Sequence, residues 1–83
     1  MEARYISIKQ MESGKRIRTL MREKGFSVRE IQEIMGFENP QAVYKWTSGK
    51  SLPSIDNLLN LSRVLGVHMD ELLVTDEEPG LCA

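Results

Sequence analysis

Apolar residues recur every three or four positions through most of the chain, and glycines interrupt them at short intervals. That period lays one apolar stripe along one face of an α-helix. Ile17, Leu20 and Met21 make the first stripe, in a helix that Ser13 can cap and Gly25 stops. Ser27-Val28-Arg29-Glu30 has the form of a capping box, in which Ser27 and Glu30 each satisfy a free backbone N–H. The helix it opens buries Ile31 and Met35 and ends at Gly36. Asn39-Pro40 reads as an N-cap followed by proline at the first helical position, opening a third helix through Trp46 to Gly49. Pro53-Ser54 opens a fourth, carrying Ile55, Leu58, Leu59, Leu61 and Leu65 and stopped by Gly66. A short fifth segment, Met69 to Val74, has Asp70 and Glu71 in its first turn, where the helix dipole favours acids. Only Tyr5-Ile6-Ser7-Ile8 alternates as a strand would, over too few residues to count as one. The expected fold class is all-α: a compact bundle of five short helices. Ile17, Leu20, Ile31, Met35, Val43, Trp46, Leu58 and Leu65 form its single core.

Length leaves room for one domain in 83 residues. The expected division is a partly ordered N-terminal arm at 1–12, a domain at 13–74 and a flexible acidic tail at 75–83. In that tail, Thr75-Asp76-Glu77-Glu78-Pro79-Gly80 is too polar and turn-prone to pack. No apolar run approaches the ~20 residues of a membrane span. Met1-Glu2-Ala3-Arg4-Tyr5-Ile6 has no apolar signal core, and the single cysteine, Cys82, has no partner for an internal disulfide, so the cytoplasm is the expected compartment. The net charge of −1 hides a polarity. Residues 1–50 hold ten basic and six acidic side chains, for +4; residues 51–83 hold Arg63 and six acids, for −5. A chain so divided can turn a basic face to phosphate and an acidic one to water. Nothing points to catalysis: there is one histidine, no glycine-rich phosphate loop, no paired carboxylates in an apolar setting and no nucleophile beside a base. His68 has no Cys, His or Asp neighbour at ligand spacing. No enzyme activity, cofactor or metal is expected.

Helices at 27–35 and 40–48, joined by the tight turn Gly36-Phe37-Glu38-Asn39, make a helix-turn-helix layout, whose second helix enters the DNA major groove. Further stretches carry a resemblance. Gly14-Lys15-Arg16-Ile17-Arg18 through Gly25-Phe26-Ser27 and Val43-Tyr44-Lys45-Trp46-Thr47-Ser48-Gly49-Lys50 resemble the opening and the recognition helix of the phage-repressor-like (Cro/repressor, xenobiotic-response-element type) helix-turn-helix family. Pro53-Ser54-Ile55-Asp56-Asn57-Leu58-Leu59 and Leu65-Gly66-Val67-His68-Met69-Asp70-Glu71-Leu72-Leu73 resemble its fourth helix and closing segment, so residues 13–74 match in register. The resemblance implies a five-helix lambda-repressor-like DNA-binding domain. It further implies sequence-specific binding of a double-stranded operator by a bacterial or phage-type transcriptional regulator, as a repressor and as a homodimer at least on DNA.

Carried over by position, Gln41, Ala42, Tyr44 and Lys45 fall where the family reads base edges, and Val43 and Trp46 fall on its buried positions. Helical geometry agrees, since 43 and 46 share a face from which 41, 44, 45 and 48 point away. Lys45 can donate to guanine, Gln41 can pair with adenine or touch a phosphate, and Ala42 can offer its methyl to thymine. Phosphate contacts are expected from Lys50 and Ser51 in the turn after the recognition helix. Ser27, Asn39 and Ser48 join them, with Arg18 and Arg22 on the basic stripe that begins at Lys15. The stripe can equally be a solvated face, and Tyr44 a surface bystander; Met11, Met21, Met35 and Met69 read as gap-filling core.

The chain departs from the family at several positions. Val28 stands where a Gln is usual and Gln32 where a small Ala is usual, and the turn after Gly36 is one residue longer than the commonest form. Met21 and Thr47 together replace an Arg–Glu pair, which leaves no unpaired buried charge. His68 stands in place of a Ser cap, weakening the last segment. A second class of function remains open: an antitoxin or protein-interaction module built on the same bundle, with a protein partner.

Overall fold

The computed structural model describes residues 5–77. Four α-helices follow in order, α1 (Gln10–Glu23), α2 (Val28–Met35), α3 (Gln41–Thr47) and α4 (Ile55–Leu65), and a single 3₁₀ turn (Met69–Leu72) closes the fold. The molecule is all-helical as expected, with one turn of 3₁₀ in place of the fifth helix. Expected tail residues beyond Glu77, Cys82 among them, lie outside the described residues.

Two of the expected helix starts are seen in their hydrogen bonds. Ser27 and Glu30 form the reciprocal box: the Glu30 N–H donates to Ser27 Oγ at 3.1 Å and the Ser27 N–H to Glu30 Oε1 at 3.0 Å. Ser54 Oγ accepts from the Asn57 N–H at 3.2 Å as the cap of α4. The expected start of α3 is corrected by one residue: Pro40 is its N-cap, with no side-chain cap bond, and Asn39 Oδ1 accepts from the Gln41 N–H at 3.1 Å just ahead of it. The start of α1 is different and corrects the expectation. It begins at Gln10, and Ser13 lies inside it, fully buried. Its hydroxyl accepts from the Val74 N–H at 2.8 Å and donates to the Val74 carbonyl at 3.3 Å, so a partner from the far end of the chain makes that burial tolerable. Around this contact the two ends of the described chain run together. Lys9 N donates to Val74 O at 2.7 Å, Asp76 N to Ser7 O at 3.0 Å, and Ile8 faces Thr75 in an antiparallel bridge.

The core gathers Ile17, Leu20, Ile31, Val43, Trp46, Leu58 and Leu65, as expected, with Met21 and Leu61 from the same apolar stripes, and adds Leu72. Met35 is half-buried and packs against this cluster. Met11, read from the sequence as core, is 59% exposed. On α4 the buried face runs through Leu58, Leu61, Ser62 and Leu65, which leaves Leu59 turned about 100° away and Ile55 at the open first turn. Both are exposed, Ile55 at 77%. The closing segment is committed to the fold, and Met69, Leu72, Leu73 and Val74 do not present a free apolar surface to a second copy. Leu72 is fully buried in its own core, and Met69 and Leu73 pack against it.

Candidate nucleic-acid interface

Most of the residues expected to read base edges sit where α1, α2 and α3 converge. Trp46 is the reason α3 has a fixed outer face. It is buried beside Val43, and its ring meets the edge of Phe37 at 5.8 Å and 74°. Phe37 lies in the longer turn between α2 and α3, and Gln32 Nε2 donates to its carbonyl at 3.2 Å. The large side chain at 32 thereby holds the extended turn that a small residue would leave unsupported. With Val43 and Trp46 inward, Gln41, Tyr44 and Lys45 are exposed.

Between α3 and the end of α1 lies an open cleft of about 630 Å³. Met21 and Val28 give it an apolar floor, while Arg18, Lys45 and Lys50 bring three cations and Gln41, Tyr44, Thr47 and Ser48 bring hydrogen-bonding groups. No carboxylate is among the described residues that line it. Six expected contact residues are thus gathered on one face: Arg18, Gln41, Tyr44, Lys45, Ser48 and Lys50. Ala42, Arg22, Ser27, Asn39 and Ser51 do not line this cleft. Ala42 is half-buried and packs against the core; Arg22, Ser27 and Asn39 are exposed; Ser51 is half-buried.

Several of these groups already have partners. Ser48 Oγ donates to Lys45 O at 3.3 Å, and Thr47 Oγ1 lies 3.2 Å from Val43 O and 3.3 Å from Tyr44 O. The Ser27 backbone N–H, followed by its hydroxyl, holds the Glu30 carboxyl below its ordinary pKa. The negative form is favoured because it accepts a hydrogen bond at the positive end of α2.

The turn after α3 wraps back on the helix: Lys50 N donates to Lys45 O at 2.9 Å and Ser51 N to the same oxygen at 3.3 Å. Glycine is required at its corner twice over. Gly49 has φ +78°, and a Cβ there would lie 2.8 Å from Met11 Cα. One buttress of this site escapes periodicity: Gly14, on the buried side of α1, faces the Trp46 carbonyl so closely that a Cβ would collide with it. An isolated glycine inside a helical pattern is the sequence signal that could have found this contact. Of the apolar floor, Met21 was legible as part of the first apolar stripe, whereas Val28 was recognisable only as a departure from the family pattern.

A family model described as Helix-turn-helix matches residues 17–72, more than half of the chain. No curated protein sequence matches it significantly. Among solved structures the chain is similar to the restriction-modification controller protein C.AhdI from Aeromonas hydrophila. The two are 27% identical with a TM-score of 0.68, over 76% of this chain and 94% of that one. It is similar also to a Bacteroides fragilis protein provisionally described as DNA-binding, at 27% identity and TM-score 0.67, over 84% and 100% of the two chains. The DNA-binding domain of BldD, 21% identical with a TM-score of 0.66 over 78% and 93%, shares the fold.

Proposed function

The chain belongs to the helix-turn-helix family, and on that premise we propose that it is a DNA-binding transcription regulator, a repressor that recognises one double-stranded operator sequence through α3. The observation that carries this reading is the cleft face. Three cations surround Gln41 and Tyr44 on the outer side of a helix whose inner side is fixed by Val43 and Trp46. Lys45 and Gln41 supply base-edge donors and acceptors, with Tyr44 beside them and the half-buried Ala42 offering only the exposed part of its methyl. Lys50, Ser51, Arg18 and Arg22 supply phosphate contacts that set register without reading sequence, joined by Ser27, Asn39 and Ser48. The proteins it resembles in structure include one titled a controller of restriction-modification, at 27% identity, which supports a regulatory role. The proposed regulator works in the cytoplasm, as a homodimer on DNA, without cofactor or catalytic step. A second reading, an antitoxin or protein-interaction module, is favoured by the exposed Ile55 and Leu59 on α4.

Selection of bound sequences from random duplex DNA at two salt concentrations decides between them. A phosphate-facing cleft requires affinity to fall steeply with salt, because each neutralised phosphate releases condensed counterions. Lys50→Ala should weaken binding to every sequence about equally and flatten the salt slope by about one unit. Lys45→Ala should cost ~1–3 kcal/mol on the preferred site and relax the choice of base at one position. If no duplex is selected, or both variants bind like the wild type, the partner-binding reading replaces this one.

A further inference from the structure

We propose that Gln10 is a positioning residue for Lys50, fixing the peptide from which that side chain departs; this deepens the DNA-binding reading above and rests on it. The peptide between Gly49 and Lys50 is held at both edges. Its N–H donates to Lys45 O at 2.9 Å, and its carbonyl oxygen accepts from Gln10 Nε2 at 2.7 Å. The first bond comes from the end of α3 itself; the second comes from another helix. Without it the carbonyl of a buried residue loses its partner. Gly49 is also the one residue type at which such a peptide turns over with little steric cost.

Gln10 is itself well anchored. It is the first residue of α1, and the flanking backbone is tied to the far end of the chain by Lys9 N to Val74 O and by Ser13 to Val74. Met11 follows it with its Cα against Gly49, and Gly14 lets the next turn of α1 close on the Trp46 carbonyl. The N-terminal turn of α1 is therefore a rigid bracket over the turn that carries Lys50. A lysine needs such a base more than most cations do. Its ammonium is a point charge on a flexible stem, so a contact to phosphate gains from every degree of freedom already removed from the backbone below it. Gln10 is exposed and lies outside the cleft, and the bracket acts on binding only through the Gly49–Lys50 peptide.

Gln10→Met keeps the length and helix propensity of the side chain and removes its donor. Two measurements on the full chain read the consequence. In the free protein, the Lys50 amide should exchange about tenfold faster, well beyond the change at amides of α4, which report whatever global stability the unpaired Gly49 carbonyl removes. On a duplex selected by the wild type, affinity should fall about three- to tenfold. That loss should vanish in a Lys50→Ala background and persist in full in a Lys45→Ala background, because only the first removes what Gln10 positions. An unchanged Lys50 amide, or the same affinity loss with and without Lys50, overturns the proposal. The two ways of failing are separable. A wild type that selects no duplex sinks the DNA-binding reading and this role together, whereas Lys50-dependent binding that survives Gln10→Met sinks this role alone.

Discussion

A glycine inside a helix costs about 1 kcal/mol relative to alanine when nothing else intervenes, yet α1 carries Gly14 in its interior. The neighbours explain it. A Cβ at 14 would collide with the Trp46 carbonyl oxygen and lie 2.9 Å from Gly49 N, both of them backbone atoms that cannot swing aside. Propensity and packing therefore predict opposite signs for Gly14→Ala. Packing should win, because relief requires α1 and α3 to part along the contact that seats Trp46. The expected result is a destabilisation of ~1–3 kcal/mol in urea unfolding, the range for an overpacked core. A variant as stable as the wild type would show that the two helices separate freely, and would weaken the account of how α3 is held.

The start of α2 is an element whose whole logic lies within four residues, which is why Ser27 and Glu30 could be read from the sequence. Its carboxyl has a depressed pKa in the folded chain, through the Ser27 N–H and then the Ser27 hydroxyl. A group of that kind contributes stability above its unfolded pKa and loses it as pH falls through the folded one. Glu30→Ala should therefore be less stable than the wild type at neutral pH. The gap should narrow as acid is added from about 4.5 downward, since the helix-propensity difference between the two residues does not titrate. Chemical denaturation at stepped pH checks this, and a gap independent of pH would mean that the carboxylate contributes nothing through its charge. Ser13 shows where such reading stops. It has the residue type of a cap, but its partner, Val74, is 61 residues away, and no local pattern weighs a partner at that range. The α4 stripe stops for a related reason: periodicity marks Ile55 and Leu59 as apolar but not whether the core reaches them. In the cleft, the outward placement of Gln41, Tyr44 and Lys45 was legible from helix period, while their proposed contacts and that of Lys50 came from the family resemblance. The Met21–Val28 floor and the Gln10–Gly49 bond were not legible, because they exist only once α1, α2 and α3 have packed.

At the scale of the molecule, the proposed recognition helix is short. The seven residues of α3 can reach only a few base pairs, and one copy gives limited discrimination. A two-fold pair reading two half-sites multiplies it, which is the reason to expect the proposed homodimer on DNA. An isologous contact must be complementary to itself. The face that meets this need is not the closing segment, whose Leu72 is committed to its own core, but the outer side of α4. There Ile55 and Leu59 are exposed. Beside them, Arg63 lines the same open hollow as Asp70 and Glu71, so that a copy turned by two-fold symmetry can set each sign against the other. The pair should occupy a near-palindromic site with half-sites about one DNA turn, or ~34 Å, apart. Sedimentation of the complex on a full palindrome should then give two chains per duplex. Ile55→Asp with Leu59→Asp should keep the helical fold and should reduce occupancy to one chain at the same protein concentration. Any loss of melting temperature should come from Leu59, which is 40% exposed, and not from Ile55, which is 77% exposed. If the wild type also binds singly on the full palindrome, the pair is wrong. If the double variant still binds as two, the contact lies elsewhere on the molecule, and the exposed residues of α4 are left for a protein partner.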